Sequence, residues 1–169
     1  MDLITTATAQ DERRRGARVA VLPVGSFEQH GDHLPLITDT VVACLIAQRL
    51  STAYNLFLLP PITISCSHEH STFAGSVSIR AQTLLAIVDD IAQSLQQSGI
   101  RQLVLVNGHG GNYVLRNAVQ QANVGERRMV FFPTHEDWAA ARTAAGLVSS
   151  GEDDMHAGEL ETSMLLAAC

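Results

Sequence analysis

Apolar and polar positions along the chain fall into two alternating registers. Largely apolar runs at 19–25, 56–59, 102–106 and 129–132 are short enough to be strands buried on both faces. Between them, apolar residues recur every three or four positions. Val41, Val42, Leu45, Ile46 and Leu50 mark a helix over about 39–50, which Asp39 or Thr40 would cap. Leu84, Leu85, Ile87, Val88, Ile91 and Leu95 mark a longer helix over 80–97, closed by Ser98 and Gly99, with Gly99 as its C-terminal cap. Shorter helices are expected at 113–122 and 138–145, and 159–168 reads as the first turns of another.

This alternation predicts an α/β fold, a three-layer arrangement of a mainly parallel sheet with helices on both faces. Ligands of such sheets bind beyond the carboxyl ends of the strands. The polar residues of interest lie there: Glu28 and His30 after the first strand, His68 and His70 after the second, His109 after the third. The second group sits in a Ser-, His- and Gly-rich loop over 63–78, long enough to imply a function.

Composition narrows the class. With 169 residues, 46% of them hydrophobic and 17% charged, the chain suits one domain with a real core. Residues 1–16 read as a solvated polar segment, and 17–169 as the domain. A formal net charge of −6 and no basic face beyond Arg13–Arg15 argue against a nucleic-acid partner. No apolar run reaches membrane-spanning length, and no secretory leader is visible at the start, so the expected location is the cytoplasm. Three cysteines without metal-binding spacing predict neither disulfides nor a zinc–thiolate cluster.

Glu28 and His30, two apart in an extended segment, point to one side. Asp39 follows nine residues later, and the glycines around His109 let backbone fold tightly about an ion or substrate. Carboxylates with imidazoles and no thiolates suit Zn²⁺, Mn²⁺ or Fe²⁺. Each residue alone has an ordinary reading: Asp39 as a helix cap, Asn107-Gly108 as a turn, His33, His68, His70 and His135 as loop histidines. Their convergence on one sheet edge is what points to a site. A nucleotide-binding Rossmann-like module is the alternative of another class, because Gly108 to Gly111 follow a strand; the chain lacks both G-x-G-x-x-G and a Lys-Ser/Thr pair.

The segment 22–35, Leu22-Pro23-Val24-Gly25-Ser26-Phe27-Glu28-Gln29-His30-Gly31-Asp32-His33-Leu34-Pro35, resembles the signature of the creatininase (creatinine amidohydrolase) family. The resemblance continues through Thr38-Asp39-Thr40, Glu69-His70, the 73–78 segment, Asn107-Gly108-His109-Gly110-Gly111-Asn112, and the 156–163 segment that opens on His156-Ala157-Gly158. It implies a metal-dependent hydrolase of a small amide or cyclic amide, with two divalent metal ions, zinc or manganese, and iron as a further option. By motif, Glu28, His30, Asp39 and His109 match ligands, Asp39 as the bridge. Glu161 is the expected late carboxylate, with Glu159 in reserve, and His156 matches a proton-transfer histidine. His70, Gly110, Gly111 and Asn112 are expected near substrate. Creatininases proper carry a carboxylate at the position of Gly111, so creatinine itself is disfavoured. Some members resemble peptidases that trim a mycofactocin-type precursor; others act on formamides. The resemblance also implies a homo-oligomer, commonly a hexamer, and a C-terminal portion beyond residue 169.

Overall fold

A computed structural model describes residues 4–168. The four apolar runs become four parallel strands, β1 (Val19–Val24), β2 (Phe57–Leu58), β3 (Gln102–Asn107) and β4 (Met129–Phe132), in the order β2-β1-β3-β4. β1 pairs with β3 along its whole length, from Val19 opposite Gln102 to Val24 opposite Asn107. Both central strands therefore end at the same level, and the loops that leave them start side by side.

β2 is shorter than the apolar run predicts, because Pro60 and Pro61 stop the ladder. Pro23 in the central β1 is tolerated for a related reason. The carbonyls of Val21 and Pro23 accept from Leu59 and Ile62 on the β2 flank. The missing Pro23 N–H faces that same flank, beyond the end of β2, and costs the β1–β3 ladder nothing.

Alternate residues of the strands feed two cores. Ala20, Leu22, Val24, Leu103 and Leu105 pack on α3 (Ala81–Gln97) through Leu84, Val88 and Leu95, and on α4 (Val114–Ala122) through Leu115. Val21 and Val106 pack on the other face against Ala43 and Ala47 of α2 (Thr38–Tyr54). Each fully buried Leu or Val contributes about 1.5–3 kcal/mol relative to exposure. The three-layer expectation holds, and the chain leaves β1 over one face and returns to β3 over the other, which puts the ligand-binding crevice between these two strands.

The remaining helices complete the molecule. The polar N-terminal segment folds into α1 (Ala9–Arg15), started by a Thr8–Asp11 capping box and stopped by left-handed Gly16; none of its residues is buried. α5 (His135–Ala145) begins with a second capping box, Thr134–Asp137. α6 (Glu159–Ala168) packs against α2. Among the described residues, no helix is long and apolar enough to cross a membrane.

Small residues bring α2 close to the strand ends. A Cβ on Gly108 would run into the Asp39 carbonyl oxygen and lie 3.1 Å from Ala43 N. Gly108→Ala should cost about 1–3 kcal/mol, the usual size of an overpacking penalty. Chemical denaturation checks this, and an unchanged midpoint would mean that α2 does not press on the β3 turn.

Candidate metal centre

The loop after β1 continues in extended form, and Glu28 N donates to Leu36 O at 3.0 Å. Glu28 and His30 consequently face the same way, and both are fully buried. Asp39 enters from the first turn of α2. It does not cap that helix: the N-cap is Ile37, with no side-chain cap bond. The carboxylate is engaged elsewhere. Asp39 Oδ2 accepts from Ser26 Oγ at 2.5 Å and lies 2.9 Å from His109 Nδ1, while Oδ1 lies 3.1 Å from His30 Nε2. One carboxylate thus serves two imidazoles, one per oxygen.

Hydrogen bonds on the far side of each ring decide which nitrogen faces inward. His30 Nδ1–H donates to Glu28 O at 3.1 Å, leaving Nε2 for Asp39. His109 Nε2–H donates to Cys66 O at 2.8 Å, leaving Nδ1 for Asp39 and for Glu28 Oε1 at 3.3 Å. Outer partners of this kind fix the tautomer of a metal-binding histidine.

Glu161, in the first turn of α6, completes the set. Its Oε1 is 3.8 Å from His30 Nε2, and its Oε2 accepts from Ala157 N at 2.6 Å. Glu159 points away, accepting from Val148 N, Ser149 N and Ser149 Oγ. Among the described residues four groups of three bring one ligand atom per residue within 4.8 Å of the others: Glu28–His30–His156, Glu28–Glu69–His70, and the two built on the most buried carboxylates, Glu28–Asp39–His109 and His30–Asp39–Glu161. The last two are the ones that fit a pair of ions. They share Asp39.

Protons act as countercharges in this arrangement. Burial disfavours a charged His109, yet Asp39 and Glu28 outweigh it and raise its pKa to about 10. Burial likewise opposes charge on Asp39 and Glu28, and the facing imidazoles still hold both carboxyls below their ordinary range. His30 is raised by Asp39 against its own burial. Glu161 is pushed up to about 7 by burial and by the Asp39 charge. Both Glu28 oxygens are shielded and accept no hydrogen bond among the described residues. A buried carboxylate without donors is costly, and a divalent cation at this point removes the cost. The donor set, carboxylates and imidazoles without a thiolate, fits such an ion.

His156 lines the same chamber. Its Nε2–H donates to Gln29 O at 2.5 Å, and Nδ1 lies 3.8 Å from Glu28 Oε1. Its ring sits 4.3 Å from that of His30 and 4.5 Å from that of His70. Burial lowers its pKa, and the neighbouring His30 and His70 lower it further. The loop carrying it is tied down by a mostly buried ion pair, Arg142 Nη1 to Asp154 Oδ2 at 2.7 Å, and by Arg142 Nη2 donating to Ser149 O and Ser150 O. Ala157, next in the chain, has a left-handed φ of 55°, strain that its bond to Glu161 holds in place.

The other expected positions divide. His70 is half-buried and turns Nε2 toward Glu28 Oε1 at 3.6 Å. Gly110 is exposed at the rim. Asn112 is 2% exposed and turned inward, accepting from Cys66 N and donating to Asn107 Oδ1, so it braces the loop. His33 and His68 are exposed. In the turn after β3, Gly108 closes on Asp39 and Gly111 on Glu69, while Gly110 opens to free space. The sequence assigned no role to Gln29, whose main chain holds His156, to the Cys66 carbonyl, or to Glu69.

Comparison with known proteins gives the family and the fold. The Creatininase family profile, described as creatinine amidohydrolase, matches residues 3–169. The mycofactocin precursor peptide peptidase of Mycobacterium ulcerans is 38% identical over 156 residues, covering 86% of this chain and 56% of the relative. The creatinine amidohydrolase of Pseudomonas putida is 28% identical over 169 residues, covering 90% of this chain and 65% of the relative. The chain thus spans little more than half the length of the peptidase it matches. A solved creatinine amidohydrolase superposes with a TM-score of 0.79 at 28% identity, covering 96% of this chain and 70% of that one. Similar creatininase structures include a Zn–Zn form of a variant and a manganese form, both with a TM-score of 0.78. With these motifs, this fold and a match along nearly its whole length, the chain belongs to the creatininase family.

Proposed function

We propose that the chain is the metal-holding part of a divalent-metal-dependent hydrolase that cleaves a C–N bond of a small amide or cyclic amide. One observation carries the reading: Asp39 offers one oxygen to His30 and the other to His109, with Glu161 and Glu28 closing the two sides. Glu28, Asp39 and His109 would hold one ion, and His30, Asp39 and Glu161 the other. Zn²⁺ and Mn²⁺ both suit these donors, and Fe²⁺ is compatible. Bound there, such ions would supply a water of lowered pKa and a Lewis acid for a substrate carbonyl.

The protein supplies the rest. His156, neutral at pH 7, has Nδ1 facing the chamber and is placed to take a proton and pass it to the leaving nitrogen. Gln29 keeps that ring in orientation through its carbonyl. His70 forms a wall over Glu28. A homo-oligomer, a hexamer by family analogy, and a cytoplasmic location complete the proposal.

A peptidase acting on a mycofactocin-type precursor is the second reading. It is favoured by the higher identity to the peptidase relative and by Gly111, where creatininases proper carry a carboxylate. Assays on creatinine, small lactams, formamides and short peptides with Mn²⁺ or Zn²⁺ separate the two. Turnover of peptides alone selects the second, and no bound metal with no turnover sinks both.

Asp39→Ala should abolish retention of both ions and hydrolysis while leaving the fold intact, as checked by elemental analysis and circular dichroism. Normal metal content would end the bridging role. His156→Ala should keep its metal and lose about two to four powers of ten in turnover; loss of metal would make His156 a ligand.

Metal and protons compete at the same atoms. The folded metal-free protein carries a proton on His109 up to about pH 10, and Glu161 gives up its own near pH 7. Metal affinity should therefore rise with pH, by at least about tenfold per unit between 7 and 10 while the His109 proton remains, and more steeply below 7, where Glu161 is protonated too and the raised His30 adds its own proton. Calorimetry in buffers of different ionisation enthalpy measures the protons released. A flat profile between pH 6 and 9 would refute the coupling.

A further inference from the structure

Gly111 is a glycine for a reason that lies across the chamber. A Cβ built there would collide with the Glu69 carboxylate, and would lie 2.5 Å from His109 Nε2 and 2.7 Å from Cys66 O. The space a side chain would enter is already filled by Glu69, which arrives from the single 3-10 turn at His68–His70. Its Oε1 is 3.5 Å from His109 Nε2, the ring nitrogen that also donates to Cys66 O. The outer edge of His109 thus meets a carbonyl and a carboxylate, while its inner edge meets Asp39 and Glu28. Glu69 also forms a group with Glu28 and His70, one ligand atom from each within 4.8 Å of the others.

We propose that Glu69 holds the outer edge of His109, reaching it from the opposite loop through the space that Gly111 leaves free. The inference rests on the metal-centre reading for its consequence, not for its geometry. Glu69 is a positioning residue. Its charge beside Nε2–H stabilises the tautomer that leaves the Nδ1 lone pair inward, and makes that nitrogen a better donor. Gly111 clears the place that Glu69 fills, so the two positions act as one device. The carboxylate belongs to the loop that also carries His70 and Phe73, and the ordering of that loop becomes linked to the centre.

The test uses the full chain with Glu69→Gln, Glu69→Ala, Gly111→Ala and the Glu69→Ala/Gly111→Ala double variant. Glu69 is half-exposed, so its replacements leave folding intact, which circular dichroism verifies. Titration with Mn²⁺ alone and Zn²⁺ alone should show one binding step weakened about 10–100-fold in both Glu69 variants, the usual effect of removing an outer partner of a metal-bound histidine. Gly111→Ala should weaken it as well, and the double variant should lose less than the sum of the two, because both changes disturb one contact. In the metal-free protein, ¹⁵N NMR should show the His109 Nε2–H losing protection from exchange in Glu69→Gln. Wild-type metal affinity in both Glu69 variants, or an unchanged His109 ring proton, overturns the proposal. Should the unaltered chain bind neither ion, the metal reading fails on its own, and the ring proton still decides the place of Glu69.

Discussion

A single buried carboxylate organises this molecule. Asp39 is held between His30 and His109, and its position depends on three separate elements meeting within hydrogen-bonding distance. Ser26 orients it, α2 delivers it, and the equal ends of β1 and β3 bring the two imidazoles to it from either side. Shift the β1–β3 register by one residue and one ring would turn to the opposite face. The sheet geometry and the centre are therefore one constraint, and the glycine at position 108 is where the two are reconciled in space.

That constraint also explains the electrostatics. Several ionisable groups are withdrawn from water together, a costly state unless their charges are matched. Hydrogen bonds to Cys66 O and Glu28 O turn the imidazoles inward, and protons then balance the carboxylates. Glu28 remains without a donor. An arrangement that is good for protons and better for a divalent ion is what a reversible metal site requires.

Much of this was legible in the chain. Periodicity located all four strands and the main helices, because the strands are buried on both faces and α3 has a clean apolar stripe. Boundaries failed where local chemistry was overridden: Asp39 looks like a cap and is recruited to the centre, and the polar start folds as α1 through a Thr8–Asp11 box that an apolar pattern does not reveal. Glu28, His30, Asp39 and His109 could be found by motif. The motif favours Glu161 over Glu159, and in α6 it is Glu161 that faces His30. Asn112 looks available as an amide in a glycine-rich turn, and its side chain here bridges two loops. Glu69 was hidden for a different reason: its partner signal is an absence, the missing side chain at Gly111.

The contact between Gln29 and His156 joins positions 127 residues apart. Ends so distant meet only after both crossovers have formed, at a high cost in loop-closure entropy. An ion seated between the β1 loop and α6 would act as a late clasp, absent from the folding transition state and present in the finished protein. Interactions of that kind leave the folding rate nearly unchanged and slow unfolding. The lifetime of the native chain, more than its speed of formation, would then be set by the ion it holds.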